Sequence, residues 1–225
     1  MAPGAGFPPP LAAERVEERV DQLVVGPGPV ASTRFAVLDV ETSGLRPDRH
    51  RLLQIGVVRV LGDGTVIDRW ETLLRAPWRP LGGRDIHGLS RRSLRGAPRL
   101  RHVAGQLAAA LDGSIVCAHN AEFDWLFVSR GLRRAGVPPP DVVRLCTLRL
   151  SRSLDPGRER SHRLGDLCLR YQVPLTRAHD AAADAAATAA LLPLLLAEAR
   201  ITDRAQLAPH LSGTTTAWPA RSGQR

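Results

Sequence analysis

Three consecutive strand-type segments, joined by short turns, constrain the fold of this chain most strongly. They are RFAVLDV (34–40), LLQIGVVRVL (52–61) and TVIDRWETLL (65–74), and all three are rich in aliphatic and β-branched residues. The sequence Gly-Asp-Gly at 62–64 supplies the turn of a hairpin between the second and the third segment. The pattern predicts a meander of three adjacent, mostly antiparallel strands at the start of the domain.

The remainder of the chain alternates helical segments with two short strand-type segments. The strand-type segments are SIVCAH (114–119) and DVVRLCT (141–147). Helical spacing of apolar residues recurs in four segments, with Gly113 closing the first and Asn120 placed as the N-cap of the second. These helical segments are 98–113, 120–136, 163–172 and 179–199. The expected fold class is α/β, with a central mixed sheet flanked by helices.

One domain is predicted over residues 32–199, with an extension at each end. A chain of 225 residues, of which 44% are hydrophobic, is long enough for a single well-buried core. Residues 1–31 begin with a Pro/Gly-rich stretch and include a short amphipathic helix over 11–25, followed by a linker, and the rest of this extension is expected to be disordered. Residues 200–225 are expected to form a loosely ordered tail.

The charge of the chain is strongly basic and comes from arginine alone. All 31 basic residues are Arg, the net charge is +9 and the pI is about 11.2. A phosphate-rich partner would explain this balance, but arginines scattered over a solvated surface would explain it equally well. Charge by itself therefore does not establish nucleic-acid binding.

Cysteine usage and hydropathy indicate a cytoplasmic protein without a membrane segment. Cys117, Cys146 and Cys168 are odd in number and widely spaced, which fits a reducing compartment better than a disulfide framework or a zinc site. No apolar run approaches the roughly 20 residues that span a bilayer. The N-terminal sequence MAPGAGFPPP lacks the basic start and apolar run of a secretory signal.

Two carboxylates stand at the end of the first, otherwise apolar strand. Asp39 and Glu41 are two positions apart, which is the repeat of a β-strand, so both side chains should point to the same side of the sheet. Two adjacent anions repel each other and are costly to bury unless a cation lies between them. A divalent cation is the usual solution, and it requires further oxygen ligands.

Two later segments can supply those ligands. Asp124 in HNAEFD (119–124) lies about one turn into a helix, and HDAAAD (179–184) places His179 and Asp184 at the start of another. Singly, each is more often a helix-start or solvated residue. Together, four carboxylates suit two Mg²⁺ or Mn²⁺ ions that assist phosphodiester cleavage, and a neutral imidazole can take the proton of the attacking water. His179 is the candidate base.

The motifs DVETSG, HNAEFD and HDAAAD resemble those of the DnaQ-like, or DEDDh, family of 3′→5′ exonucleases. The segments DIHGLS (85–90) and SHRLGDLC (161–168) add to the resemblance, which covers about residues 34–197 and is nearest to the proofreading epsilon subunit of bacterial DNA polymerase III. The resemblance implies a ribonuclease-H-like fold and release of nucleoside 5′-monophosphates from a 3′ end. It also implies the roles of the site residues. The implied metal ligands are Asp39, Glu41, Asp124 and Asp184, and the implied general base is His179.

The resemblance further suggests substrate contacts at Thr42, Leu45 and His87. Turn chemistry explains the same residues equally well. The arginine pair Arg133/Arg134 is a candidate path for a phosphate backbone, although such pairs are more often solvated.

The predicted function is a 3′→5′ exonuclease acting on DNA, with single-stranded 3′ ends preferred, in proofreading or repair. An exoribonuclease or oligonucleotide scavenger has the same chemistry and remains an alternative, because discrimination of the 2′-hydroxyl cannot be inferred from these motifs. A non-catalytic nucleic-acid-binding module is a third alternative. A DNA polymerase subunit is a candidate partner.

Overall fold

A mixed sheet of six strands forms the centre of the domain in the computed structural model, which describes residues 28–75 and 81–213. The strands are β1 (Arg34–Thr42), β2 (Leu52–Leu61), β3 (Val66–Leu73), β4 (Ile115–Ala118), β5 (Arg144–Cys146) and β6 (Leu211–Ser212). Their order in the sheet is β3-β2-β1-β4-β5-β6. Strands β1, β2 and β3 pair antiparallel, β4 and β5 continue parallel to β1, and β6 is antiparallel to β5. The predicted meander and mixed sheet are confirmed.

Helices cover both faces of this sheet. They are α1 (Arg84–His87), α2 (Leu100–Leu111), α3 (Ala121–Arg134), α4 (Thr147–Ser153), α5 (Leu164–Arg170), α6 (Ala181–Glu198) and α7 (Arg204–Leu207). Short 3₁₀ turns lie at Val30–Ser32 and Ala208–His210. The four helical segments predicted from apolar spacing correspond to α2, α3, α5 and α6.

The alternation of side chains in β1 divides the core into two halves. Phe35 and Val37 pack with the apolar residues of α6 on one face of the sheet. Ala36, Leu38 and Val40 pack with α2 and α3 on the other face. Because successive side chains of a strand point to opposite faces, the acids that follow at positions 39 and 41 emerge on the α6 face.

Helix α6 packs along β1 and β2 as the central helix of its face. It has 18 residues with a mean hydropathy of 1.4, so in length and composition it would suit a membrane span, and it is the one helix in the described ranges that does. However, 56% of it is buried inside the domain, as is usual for a core helix. Pro193 lies within this helix without interrupting it.

The C-terminal boundary of the domain differs from the sequence prediction. Residues 200–213, which follow the predicted boundary, are ordered: they form α7 and then β6, which pairs with β5. The first described residues pack against the same region, because Pro29 bridges Asp203 and the Val30 amide donates to the Thr202 carbonyl at 2.9 Å. The domain therefore includes residues 28–213 of the described chain. The helix predicted over 11–25 and residues 214–225 lie outside the described residues.

Candidate active site

Strand β1 delivers Asp39 and Glu41 to the α6 face of the sheet, where both side chains remain partly exposed. In the antiparallel register with β2, Asp39 lies opposite Gly56 and Glu41 lies opposite Gln54. The register shifts between Glu41 and Thr42, so regular pairing is disturbed immediately after the second acid. The two carboxylates thus stand side by side at the end of a buried strand, as predicted.

Asp124 enters the site from the first turn of α3. This helix starts directly after β4, which runs parallel to β1, so its N-terminus lies at the same edge of the sheet as the end of β1. Asn120 occupies the N-cap position in a left-handed conformation (φ 89°), and its side chain makes no capping hydrogen bond. Asp124 is only 4% exposed. A carboxylate so deeply buried on the sheet side is not a solvated helix-start acid.

The first turn of α6 brings Asp184 to the acids of β1, and His179, the residue before the N-cap of this helix, lies there with it. Asp180 caps the helix by accepting a hydrogen bond from the Ala183 amide at 3.1 Å. The backbone amide of His179 donates to Asp184 Oδ2 at 3.1 Å, which links the two residues across the cap. Ligand atoms of Glu41, His179 and Asp184 all lie within 4.8 Å of one another. His179 itself is exposed and has a left-handed backbone (φ 64°).

Burial and mutual repulsion raise the pKa of all four carboxyl groups. Burial is the largest cause for Asp39, whose pKa lies well above its usual range, and the charges of Asp124, Asp184 and Glu41 add to it. Burial, then Asp184 and Asp180, raise the pKa of Glu41 to about 8. Burial raises the pKa of Asp124 to about 8, although backbone hydrogen bonds partly oppose it, and burial likewise raises the pKa of Asp184. Ionising the cluster near neutral pH therefore requires positive charge nearby.

The donor set fits a divalent cation. Asp184 Oδ1 is buried and has no hydrogen-bond partner among the described residues, so one lone pair of this ligand is left to a group other than the protein. Carboxylate oxygens are the preferred ligands of Mg²⁺ and Mn²⁺, and a bound cation would favour the ionised form of each acid. The cation would be held by four residues that we call the acidic cluster: Asp39, Glu41, Asp124 and Asp184.

The three predicted substrate contacts occupy different environments. Thr42 is buried and donates its hydroxyl to the Gly44 carbonyl at 2.8 Å, while Leu45 is 80% exposed beside it. His87 is buried, and both of its ring nitrogens bond to its own loop: Nδ1 accepts from the Leu89 amide and Nε2 lies 3.0 Å from the Gly82 carbonyl. The geometry of His87 thus favours a role in loop organisation, and only Leu45 offers a free surface.

Gln54 and Gly56 form the surface of β2 against which the start of α6 packs, and the sequence did not predict this contact. The buried Gln54 side chain accepts a hydrogen bond from the Ala181 amide at 3.3 Å. At Gly56 the helix comes so close that a Cβ atom would lie 2.3 Å from the Ala181 carbonyl oxygen. Because these two residues lie opposite Glu41 and Asp39, the contact fixes the position of the start of α6 relative to the acids of β1. The sequence does contain an indication of this contact, because a polar residue and a glycine stand two positions apart within the apolar segment 52–61.

His119, the first residue of HNAEFD, does not join the acidic cluster. Its ring nitrogens bond to Thr147 Oγ1 at 3.0 Å and to the His162 carbonyl at 2.9 Å. Burial lowers its pKa to about 4. His119 therefore ties the end of β4 to α4 and to the segment before α5 as a neutral structural residue.

Relatives of this chain include DNA polymerase III proteins of the PolC type. Residues 36–192 match the family model described as Exonuclease (RNase_T). The chain is 32% identical over 166 residues to the DNA polymerase III PolC-type of Halalkalibacterium halodurans, a match that covers 73% of this chain and 11% of that protein. It is 35% identical over 175 residues to the corresponding protein of Lacticaseibacillus paracasei, covering 77% and 12%. The chain thus spans only 11 to 12% of the length of these relatives.

Solved structures with the same fold are exonucleases. E. coli Exonuclease I in complex with a dT13 oligonucleotide aligns with a TM-score of 0.66 at 22% identity, over 74% of this chain and 42% of that one. Exonuclease X in complex with 5′ overhanging duplex DNA aligns with a TM-score of 0.62 at 25% identity, over 78% of this chain and 98% of that one. The predicted ribonuclease-H-like fold and the resemblance to DnaQ-like exonucleases are confirmed.

Proposed function

Because this chain belongs to the exonuclease family, whose model matches residues 36–192, we propose that it is a metal-dependent 3′→5′ exonuclease acting on DNA. The observation that carries the proposal is the meeting of Glu41, His179 and Asp184, with ligand atoms within 4.8 Å of one another, beside Asp39 and the buried Asp124. Such a cluster of acids with an adjacent imidazole supports hydrolysis of a phosphodiester and release of nucleoside 5′-monophosphates.

The four acids are the proposed ligands of two divalent cations, Mg²⁺ or Mn²⁺. When bound, the cations supply stabilisation of the attacking and leaving oxygens. Strand β1 supplies the two partly exposed acids, Asp39 and Glu41, while α3 and α6 supply the buried Asp124 and Asp184. Because the acids lie on rigid elements of the core, the position of the scissile phosphate is fixed by the fold.

His179 is the proposed general base. Its imidazole faces solvent and lies beside Glu41 and Asp184, so it can accept a proton from a water molecule that approaches the phosphorus atom. The water oxygen forms the new P–O bond, the bond to the 3′ oxygen of the shortened strand breaks, and that oxygen takes up a proton. The bond from the His179 amide to Asp184 Oδ2 couples the position of the base to a metal ligand.

DNA is the proposed substrate, with single-stranded 3′ ends preferred. Two fold neighbours support DNA, because Exonuclease I binds a dT13 oligonucleotide and Exonuclease X binds duplex DNA with a 5′ overhang, and the first of these supports the single-stranded preference. The PolC-type relatives support an association with a DNA polymerase.

Time-resolved cleavage of 5′-labelled 20-nucleotide strands, DNA and RNA in parallel, tests the proposal. We expect a ladder that shortens from the 3′ end with Mg²⁺ or Mn²⁺, no products with EDTA, and faster cleavage of DNA. Asp184→Asn should abolish cleavage, whereas the matched variant Asp112→Asn, at the exposed C-cap of α2, should retain it. Retained cleavage in purified Asp39→Asn/Asp184→Asn protein would refute the site assignment, and faster cleavage of RNA would favour the exoribonuclease.

A further inference from the structure

A basic cleft lies on the face of the sheet opposite α6. It has a volume of about 190 Å³ and is walled by Arg51 at the start of β2, Arg99 and Arg101 at the start of α2, and Arg134 at the end of α3. Leu52, Leu100 and Phe127 form its apolar floor. None of the lining residues found for this cleft in the described chain is Asp or Glu. We use the name basic cleft for this site.

Positive charge in the basic cleft is poorly balanced by the protein itself. The nearby carboxylate of Asp48 pairs with Arg46 at 3.1 Å and with Arg49 at 3.7 Å, while the hydrogen bond from Arg134 goes to the backbone oxygen of Asp48, at 3.1 Å. Burial, and next the charges of Arg51 and Arg130, lower the pKa of Arg134, and the charge of Asp48 opposes this only in part. Like charges on neighbouring side chains favour a bound anion, and the guanidinium fork suits phosphate oxygens.

The basic cleft is attached to the end of the strand that carries the acids. The Ser43 amide donates to the Arg51 carbonyl at 2.9 Å, and the Arg51 amide donates to Ser43 Oγ at 3.0 Å. Ser43 follows Glu41 by two residues, which is about 7 Å of extended chain. The acids emerge on the α6 face and the cleft lies on the opposite face, so a strand whose 3′ end lies at the acidic cluster would reach the cleft by passing around the end of β1, where Ser43 and Arg51 are joined.

We propose that the basic cleft binds the phosphate backbone of the substrate strand a few nucleotides 5′ of the scissile bond. This inference rests on the proposed function and adds to it a second contact surface for single-stranded nucleic acid. The apolar floor accepts the sugar or base of a bound nucleotide while the arginines of the rim hold its phosphates. The cleft contributes affinity and length dependence, and the acidic cluster contributes the chemistry.

The test compares Arg99→Gln/Arg101→Gln with Arg152→Gln/Arg163→Gln in the full chain. The control pair removes the same charge from exposed positions at α4 and next to α5, on the other face of the sheet. Binding of a fluorescein-labelled (dT)20 strand is measured by anisotropy with Ca²⁺ at several salt concentrations. Hydrolysis of the same strand and of the p-nitrophenyl ester of thymidine 5′-monophosphate is measured with Mg²⁺.

We expect the cleft variant to bind (dT)20 roughly tenfold more weakly, and its salt slope to fall by about 1.4, because each lost phosphate contact removes about 0.7 from the slope for single strands. Its KM for (dT)20 should rise, while its rate on the short ester, which cannot reach the cleft, should equal that of the wild type.

If the cleft variant binds (dT)20 with the affinity and salt slope of the wild type, the inference is overturned. The cleft would then be a site for another anion, such as an acidic protein segment. An equal loss in the control pair would overturn it as well, because the effect would then be one of net charge. Failure of the wild type to hydrolyse either substrate would refute the proposed function, while the anisotropy measurement would still decide whether the cleft binds the strand.

Discussion

Gly56→Ala should impair catalysis from a position that touches no substrate. The added Cβ would lie 2.3 Å from the Ala181 carbonyl oxygen and 2.7 Å from Ala182 Cα, whereas ordinary contacts begin at 3.4 Å. The start of α6 must therefore move away from β2 by about 1 Å, since 3.4 minus 2.3 is 1.1. The hydrogen bond from the Ala181 amide to Gln54, already 3.3 Å long, would be lost by the same movement.

The expected cost can be estimated for both stability and rate. Overpacking of this kind destabilises a protein by roughly 1–3 kcal/mol. A displacement of about 1 Å at catalytic groups costs on the order of 100-fold in rate, because Asp184 and His179 move with the helix while Asp39 and Glu41 stay with β1. The large effect should thus appear in kcat, while the domain remains folded.

The assay compares kcat on a single-stranded 20-mer with the urea midpoint of each variant. Gly105→Ala is the matched control, since Gly105 lies within α2 with no atom within 4 Å of an added Cβ. We expect the control to keep the wild-type kcat and to gain roughly 0.5–1 kcal/mol in stability from helix propensity. Wild-type kcat in folded Gly56→Ala protein would refute the idea that this glycine sets the position of α6.

The acidic cluster leads to three further predictions. Because the folded pKa values of Glu41 and Asp124, each about 8, exceed their unfolded values of 4.5 and 3.8, the native state binds more protons between about pH 4 and 8. Without metal the free energy of unfolding should therefore fall from pH 5 to 7.5 in urea titrations, by up to about 3 kcal/mol for each of the two groups, and Mg²⁺ should remove this decline. Asp124→Asn should raise the thermal midpoint of the metal-free protein at pH 7.5 while abolishing hydrolysis; a lowered midpoint would contradict the repulsion argument. Asp180→Ala should cost about 1 kcal/mol through the lost N-cap, while Asp180→Asn, which keeps a capping oxygen, should cost much less; equal losses would show that the cap contributes nothing.

The sequence predicted those features that depend on local periodicity. Alternation in β1 placed Asp39 and Glu41 on one side of the sheet, and the glycines at 62 and 64 located the hairpin between β2 and β3. Of the five residues predicted for the site, Glu41, His179 and Asp184 have ligand atoms within 4.8 Å of one another. Asp39 and Asp124 interact electrostatically with the other acids, and the catalytic roles of all five stay a prediction. Asp180 lies at the helix start and serves as its N-cap.

Features that depend on distant contacts were not predicted. Gln54 bonds to Ala181, which lies 127 positions away, and nothing within 52–61 indicates that partner. Strand β6 has only two residues, too few for any alternation to be visible in sequence. His119 belongs to a motif whose acid enters the site, yet its own ring points to Thr147, because the chain turns between β4 and α3.

The contact between the first described residues and the region around α7 bears on where this domain can be cut. Gly28 accepts a hydrogen bond from the Arg204 amide at 3.0 Å, so the first described residues lie beside the start of α7. A truncation that begins at Ser32 would remove this contact together with the buried Val30 side chain, and would therefore expose part of the core on the α6 face.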